Sequence, residues 1–504
     1  MPRGNPLGTF FCLPIERTNH MFYRLSRNTF VRQVWEYGYI VSQLTKHDRI
    51  YSGSGMVFLS ALSREPQNFE TLLAKILETV EADRDEVSRD LSKFLDELVR
   101  DRFLIAAEDE RTCASTDAYF SYSQNPKTLM TYNALQNPDD GAHYAETIDV
   151  MLDKFRERPY LHSCQIETTN RCNERCIHCY IPHEQKNAIL PYELILSVME
   201  QLHEIGSIGL TLSGGEFFCH PDAEKILFKA RELDFSYSVL SNLTLLSPRL
   251  IDVLKETNPS CIQTSLYSVN PDMHDHITQL KGSCEKTKAA IDALVAAEIP
   301  VQISCPTMRS NFEGYKDVLK YAYDRNCKGQ TDYIMMARQD GTSDNLCERL
   351  TLAETESLMR DIASFDHDYL NLINEDSLKA QRLTREEWDN QAMCGIGRDN
   401  IHIGSDGKAY PCSGWMVELG DVREQPIKDI WEKSPALNKL RNITRGSIPQ
   451  CYDCEDNAFC APCMCRNANE NGGDPLKVAD HFCKIANLNR RIVKEELAKR
   501  KMSK

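Results

Sequence analysis

The sequence predicts an α/β protein: a full or partial parallel (β/α) barrel, with a small α+β unit before it and a cysteine-rich unit after it. Three observations lead there. Between about 160 and 350, strand-like apolar segments alternate with amphipathic helical ones. The cysteines gather in two fields, at 172–179 and at 394–483. Residues 1–108 read as a hairpin, three helices and a closing strand.

The bulk numbers set the class. The chain has 504 residues, 41% hydrophobic and 26% charged, as expected of a soluble globular protein of more than one domain. A net charge of −15 disfavours a nucleic-acid partner, which needs a basic surface. No apolar run approaches the ~20 residues that span a bilayer. The stretch Phe10 to Ile15 is shorter than a signal-peptide core and lacks a small-residue cleavage site. A cytoplasmic protein without a membrane partner is therefore expected. In that compartment 20 cysteines read as metal ligands or buried thiols rather than disulfides.

Taken in order, Phe22 to Leu25, Val31 to Tyr37 and Tyr39 to Leu44 are rich in β-branched and aromatic residues and predict strands. Asp48 to Gly55 is a turn or short strand, and Met56 to Leu62 a short apolar helix. Leu72, Leu73, Ile76, Leu77 and Val80 share one helical face; Val87, Leu91, Phe94, Leu95 and Leu98 share another. Phe103 to Ile105 returns as a strand, which completes a winged helix-turn-helix pattern over 1–108. Residues 109–158 are a polar linker, with a turn at Asn137 to Gly141 and a helical stretch at Tyr144 to Phe155.

Residues 159–350 supply the barrel. Strands are expected at Gly209 to Leu212, Tyr237 to Leu240, Cys261 to Leu266, Val301 to Ser304 and Asp332 to Met336, and helices at Leu194 to Glu204 and Cys284 to Ala297. Chemistry belongs at the C-terminal strand ends. Thr351 to Glu354 is a capping box that opens a bridging helical segment, 351–390. Residues 391–504 break into short Gly- and Cys-rich pieces with little core of their own, which metal must staple, before a charged helix at Asn487 to Lys499.

The chemistry centres on Cys172-Asn-Glu-Arg-Cys176-Ile-His-Cys179, followed by Tyr180. A [4Fe–4S] cluster ordinarily takes four cysteines. Three in one short loop leave one iron open to a reactant. The competing reading is a zinc site completed by His178 or Cys164.

The Cys-x3-Cys-x2-Cys run with an aromatic next resembles the signature of the radical S-adenosylmethionine (SAM) superfamily. Gly214-Gly215-Glu216, Ser241-Asn242, Ser265 and Tyr267 follow at the ends of successive strands, so the resemblance spans roughly 160–345. It implies a partial (β/α)6 barrel in which Cys172, Cys176 and Cys179 hold the catalytic cluster. SAM would chelate the open iron and be cleaved, by one electron from a reductant such as flavodoxin or ferredoxin, to methionine and a 5′-deoxyadenosyl radical. That radical takes a hydrogen atom from substrate. By the same resemblance, the backbone and carboxylate of Gly214, Gly215 and Glu216 hold the SAM amino group. Ser241, Asn242 and Ser265 contact its carboxylate or ribose, and Tyr180 flanks the adenine.

The second field resembles a SPASM domain: Cys394, Gly407 and Cys412, then Cys451, Cys454, Cys460, Cys463 and Cys465, then Cys483. It implies two auxiliary [4Fe–4S] clusters, three in all. Cys451, Cys454, Cys460 and Cys483 would hold the distal one; Cys394, Cys412 and one of Cys463 or Cys465 the nearer. The family spacing puts a ligand at 464, which here is Met464. Either both flanking cysteines ligate and the near cluster is closed, or one does and an iron stays open. A pair of zinc ribbons is the competing reading.

Residues 1–108 resemble a recognition element for ribosomally synthesised, post-translationally modified peptides (RiPPs). That implies a precursor peptide whose leader adds a strand to an edge within Asn28 to Ile50, over the helix 84–100. The acidic residues Asp83, Asp85, Glu86, Asp90, Asp96, Glu97 and Asp101 argue against DNA there.

Together these readings predict a radical SAM maturase that forms a thioether in a precursor peptide. The alternatives are epimerisation, with Cys219 as hydrogen donor, or carbon–carbon and carbon–oxygen cross-linking. More distant is an iron–sulfur redox sensor with a DNA-binding winged helix. Cys261, Cys305 and Cys327 read as packing residues. Arg338 reads equally as a carboxylate grip or a solvated side chain.

Overall fold

The computed structural model describes residues 21–43, 48–116, 151, 154–155, 157–365 and 383–502. Phe10 to Ile15, the turn at Asn137 to Gly141 and most of the helical stretch at Tyr144 to Phe155 lie outside those residues. No helix among the described residues is long and apolar enough to cross a membrane. The chain divides into two compact units, Met1–Ser42 with Lys46–Tyr119, and Gln43–Thr45 with Phe120–Lys504.

In the first unit, β1 (Phe22–Leu25), β2 (Thr29–Val34), β3 (Tyr37–Ser42) and β4 (Asp48–Tyr51) precede helices Ser54–Ala61, Phe69–Leu77 and Arg84–Arg100. β5 (Gln67–Asn68) and β6 (Leu104–Ala107) flank β1 in one sheet, and β2-β3-β4 form another. Trp35, at the β2–β3 turn, takes a positive φ of 52°. Both helical faces read from the sequence meet in one core, where Leu72, Leu91, Leu95 and Leu98 are fully buried. The helix Arg84–Arg100 starts at an N-cap whose Asp83 carboxylate accepts from the backbone N–H groups of Asp85 and Glu86.

The unit runs past residue 108. Asp109 caps a short helix, Glu110–Ser115, whose Cys113 is buried and whose Cys113 carbonyl accepts from Arg24 Nε at 2.7 Å. A polar stretch is thus held by one buried thiol and one arginine, which composition does not reveal.

Six successive strands of the second unit run parallel: β7 (Ser163–Thr169), β8 (Gly209–Gly214), β9 (Ser236–Leu240), β10 (Cys261–Ser265), β11 (Val301–Pro306) and β12 (Lys328–Asp332). They pair in sequence order, and among the described residues β7 and β12 do not pair with each other. Helices Tyr192–Glu204, Ala223–Glu232, Pro248–Thr257, Ser283–Ala296 and Tyr315–Asp324 lie in the connections. Ile166, Leu212, Val239, Ile262 and Ile303 bury completely in one core with those helices.

Two strand readings change. The last strand falls at 328–332, not 332–336, because Gly329 to Asp332 register against Ile303 to Pro306. The apolar Tyr333 to Met336 instead serve separate packing clusters. The first strand, immediately before the cysteine loop, escaped the sequence reading.

The cysteine-rich unit joins this sheet. β13 (Asn400–Ile403) pairs in parallel with β7, and β14 (Lys408–Tyr410) and β15 (Gly420–Asp421) continue antiparallel. Ile401, Ile403, Trp415, Ile430 and Leu437 enter the barrel core. The unit has little core of its own because it shares that of the barrel. The capping box is present: Thr351 N donates to Glu354 Oε2 at 2.7 Å and Glu354 N to Thr351 Oγ at 3.2 Å. It opens Leu352–Phe365, and a 23-residue helix, Asp480–Met502, closes the chain.

Candidate iron–sulfur and SAM site

The cysteine loop leaves β7 at its C-terminal end, where a barrel of this kind places chemistry. Two backbone bonds anchor its middle on the helix Pro271–Thr278: Arg175 N donates to Thr278 O and Ile177 N to Ile277 O, each at 3.0 Å. Glu174 N reaches Cys172 Sγ at 3.4 Å. Cys172, Cys176 and Cys179 are free thiols, each partly buried.

The next strand end holds the run-in to that loop. Gly215 N donates to Thr169 O at 2.7 Å and Glu216 N to Arg171 O at 2.8 Å. A Cβ on Gly214 would sit 2.5 Å from Thr169 O, and one on Gly215 2.4 Å from Asn170 O. The glycines are therefore demanded by the chain's own backbone. The resemblance had assigned the Glu216 carboxylate to SAM. In the structure three protein donors reach it: Phe218 N at 2.9 Å, Ser241 Oγ at 2.7 Å and Asn242 N at 2.6 Å. It is buried and knits β8 to β9.

Asn242 extends this network to the loop. Its Nδ2 donates to Asn173 Oδ1 at 3.0 Å, and Asn173 Nδ2 donates to Thr244 Oγ1 at 2.6 Å. Ser265 ends β10 and shares a side-chain hydrogen bond with Tyr267, whose ring meets His178 edge-on at 4.9 Å. Cys219 closes a short turn after Glu216 and accepts from Asn173 N. Tyr180 lies where its hydroxyl feels Glu167, Cys179 and Cys412, between the first cysteine field and the second. Arg338 pairs with Asp344 at 3.2 Å. Cys261, Cys305 and Cys327 are buried, as packing residues are.

The sequence reading missed Glu174, inside the cysteine run. It is 3% exposed, it accepts from Cys176 Sγ at 3.4 Å, and its Oε1 has no partner. Burial pushes Glu174 up to about 7 and the Cys172 thiol up to about 12. Three partly buried thiols beside a buried carboxyl suit a cationic centre, and an iron–sulfur core fits that donor set. Zinc needs its donors within about 2.3 Å of one point. Among the described residues no three His, Cys, Asp or Glu side chains meet that demand. Cys164 is buried in the core on β7, away from the loop.

The second field forms two groups of four thiols. Cys465 lies within hydrogen-bond reach of both Cys412 and Cys463, and Cys394 is near enough to feel the charge of Cys412 and Cys463. Cys465 Sγ also lies 3.7 Å from Met336 Sδ, just past β12. Cys451, Cys454, Cys460 and Cys483 line one cavity, walled by Trp388 and Phe482. Both four-thiol sets fit an iron–sulfur cluster in donor type, and Met464 is buried beside them without ligating capacity of that kind.

Comparison with known proteins agrees with this geometry. Residues 166–322 match the model of the radical SAM superfamily, and residues 394–455 that of SPASM, an iron–sulfur cluster-binding domain. The chain carries a radical SAM domain and a SPASM domain. The radical SAM match begins on β7 and contains the whole cysteine loop. Among curated relatives, the AdoMet-dependent heme synthase of Methanosarcina barkeri is 26% identical over 317 residues, 60% of this chain and 90% of the relative. The antilisterial bacteriocin subtilosin biosynthesis protein AlbA of Bacillus subtilis is 24% identical over 312 residues, 60% of this chain and 67% of AlbA. Among solved structures, SuiB of Streptococcus suis, crystallised with the precursor peptide SuiA, superposes with a TM-score of 0.58 at 14% identity. That likeness covers 92% of this chain and 99% of SuiB, and it shows a shared fold.

Proposed function

We propose that the chain is a maturase that forms a thioether in a ribosomally made precursor peptide. The observation that carries this reading is the gathering of the C-terminal cysteines into two four-thiol groups, one of them reaching Tyr180 at the mouth of the barrel. Forming a bond from a carbon radical releases an electron, and a cluster beside the mouth is suited to take it. Cys172, Cys176 and Cys179 would hold the SAM-binding cluster; Cys451, Cys454, Cys460 and Cys483 the distal auxiliary one. Cys394, Cys412, Cys463 and Cys465 together would close the near one, leaving no iron for a substrate thiolate. When bound, the first cluster and SAM supply hydrogen-atom abstraction. The protein's own part is to hold the loop on β8 through Gly215 and Glu216 and to fix Asn242 and Ser265 around the mouth.

The first unit supports a peptide partner. β4 is paired only with β3 among the described strands and lies against the helix Arg84–Arg100. Tyr51 donates to Glu97 Oε1 at 3.0 Å, and its ring meets that of Phe94 at 4.9 Å. An open edge beside a helix is the setting for strand addition by a leader, and we assign the winged-helix recognition element to this unit. SuiB was crystallised with a precursor peptide, and AlbA is named for the biosynthesis of a bacteriocin.

A second reading, synthesis of heme, is favoured by the 26% identity to the heme synthase. That match uses 90% of the relative but only 60% of this chain. The match to AlbA also uses 60% of this chain, whereas the likeness in fold to SuiB covers 92% of it. One experiment separates the two. The anaerobically reconstituted protein is given SAM, a reductant such as flavodoxin, and the precursor peptide encoded beside its gene. The expected outcome is 5′-deoxyadenosine together with a peptide lighter by two hydrogens. An unchanged peptide mass with 5′-deoxyadenosine still formed rules out cyclisation.

A further inference from the structure

The barrel strands turn an apolar face to the helices and a polar face inward. On β7, Cys164 and Ile166 join the core, while Gln165 faces the lumen and donates to Ser213 Oγ on β8 at 3.0 Å. Glu167, two residues on, shares that face. His402 on β13 registers directly beside Gln165 in a parallel pair and so faces the same way.

Glu167 and His402 are 8% and 2% exposed. Glu167 Oε1 accepts from Ser405 Oγ at 2.8 Å, and its Oε2 lies 3.9 Å from His402 Nε2. Neither ring nitrogen of His402 has a hydrogen-bond partner. A buried polar atom left without a partner costs about 1–3 kcal/mol, so this cluster costs stability unless a bound group satisfies it. It also has a place. Tyr180, the residue after the SAM-site loop, feels the charge of Glu167, Cys179 and Cys412 alike, so the carboxylate lies near that loop. The other charged or titratable groups that face Glu167 are Asp406, Lys186 and Tyr410.

We propose that Glu167, held by Ser405 and lying beside His402, is the base that receives the proton released as the peptide's new bond closes. The proposal rests on the maturase reading above. In the step, a carbon-centred radical of the peptide meets a cysteine thiol. The S–H bond breaks and the C–S bond forms. The proton goes to the Glu167 carboxylate, and the one remaining electron goes to an acceptor of the iron–sulfur class. Burial, with Asp406 nearby, pushes Glu167 up to about 7, and burial holds His402 at about 4 and neutral. A base of that strength is half ionised near neutral pH, where proton transfer is most effective.

The test counts two products of the reconstituted full-length enzyme with SAM, reductant and the neighbouring precursor peptide. In the wild type, cross-links made per 5′-deoxyadenosine rise with pH through about 7, as the carboxylate ionises. In Glu167→Gln that ratio falls roughly a hundredfold and the limb disappears. Ser405→Ala, which removes a donor to the carboxylate, moves the limb to higher pH. Infrared difference spectra between low and high pH give a readout free of turnover. A protonated-carboxyl band that titrates in the wild type and is missing in Glu167→Gln supports the assignment. A ratio and limb unchanged in Glu167→Gln, or a titrating band that survives the substitution, overturns it. If Glu167→Gln fails to take up iron, the Ser405→Ala limb and the wild-type band decide instead. A wild type that never modifies the peptide sinks the maturase reading, and the infrared result still decides whether Glu167 holds the proton.

Discussion

At the scale of single residues, the site is organised by contacts too tight for substitution. Gly215 carries no ligand-binding side chain, yet it sets where the cysteine loop begins. Its missing Cβ would lie 2.4 Å from Asn170 O and 2.6 Å from Arg171 O, both of them backbone atoms that cannot swing aside. Gly215→Ala must push the loop away from β8 and stretch the Glu216 N to Arg171 O bond. We expect reconstituted Gly215→Ala to lose the SAM-site cluster while keeping its auxiliary clusters, seen as a drop of about four irons per chain. The overpacking costs about 1–3 kcal/mol in thermal unfolding. Full iron content in this variant would show that the loop tolerates the shift. Glu216 acts in the same scaffold: its carboxylate spans β8, the turn after it and β9 through three hydrogen bonds.

At the scale of elements, the decisive pairing is β13 on β7. An edge strand exposes a row of unpaired backbone groups, which invites association. β13 covers that edge of the barrel sheet and carries the loop that ends at Cys412 to the mouth. The helix Pro435–Arg441 locks the arrangement. Leu437 is fully buried, and Gly397, at φ 68°, comes so close that a Cβ there would sit 2.5 Å from Leu437 Cδ1. Leu437→Ala leaves a cavity beneath β13 and should cost about 2–5 kcal/mol. Thermal unfolding should show that loss even before iron is added, because the contact is apolar. A melting temperature equal to that of the wild type would mean that β13 is held by the clusters alone.

At the scale of the whole molecule, eleven cysteines divide into a group of three and two groups of four. If each group holds one cubane, as proposed, the chain should bind about twelve irons. Cys465→Ala removes the thiol that lies between Cys412 and Cys463, and it should lower the iron content and alter the electron paramagnetic resonance of one auxiliary cluster. Cys347→Ala, which replaces an exposed thiol outside all three groups, should change neither. Equal iron and equal spectra in both variants would return the near cluster to three ligands from this chain.

The chemistry-bearing spacing was legible because a cluster loop is a local object. Cys172, Cys176 and Cys179 must lie within a few residues of each other to wrap one cubane face, so sequence distance reports spatial distance. The same holds for the helical faces around Leu72 and Leu91 and for the capping box at Thr351. What failed was non-local. The strand at 328–332 is polar and was passed over for the apolar Tyr333 to Met336, because parallel pairing with β11 outweighed composition. The helix Glu110–Ser115 was taken for linker, because its hold on Arg24 spans nearly ninety residues. By itself the sequence determined the α/β class, the three-thiol loop and the iron–sulfur-binding cysteine field after the barrel. Only the tertiary structure decided that Cys465 joins Cys412 and Cys463, that Gly215 is fixed by backbone, and that Glu167 meets His402. Each of those depends on segments distant in the chain being brought together, and hydrogen bonding across a sheet leaves no record of its partner in the sequence of either strand alone.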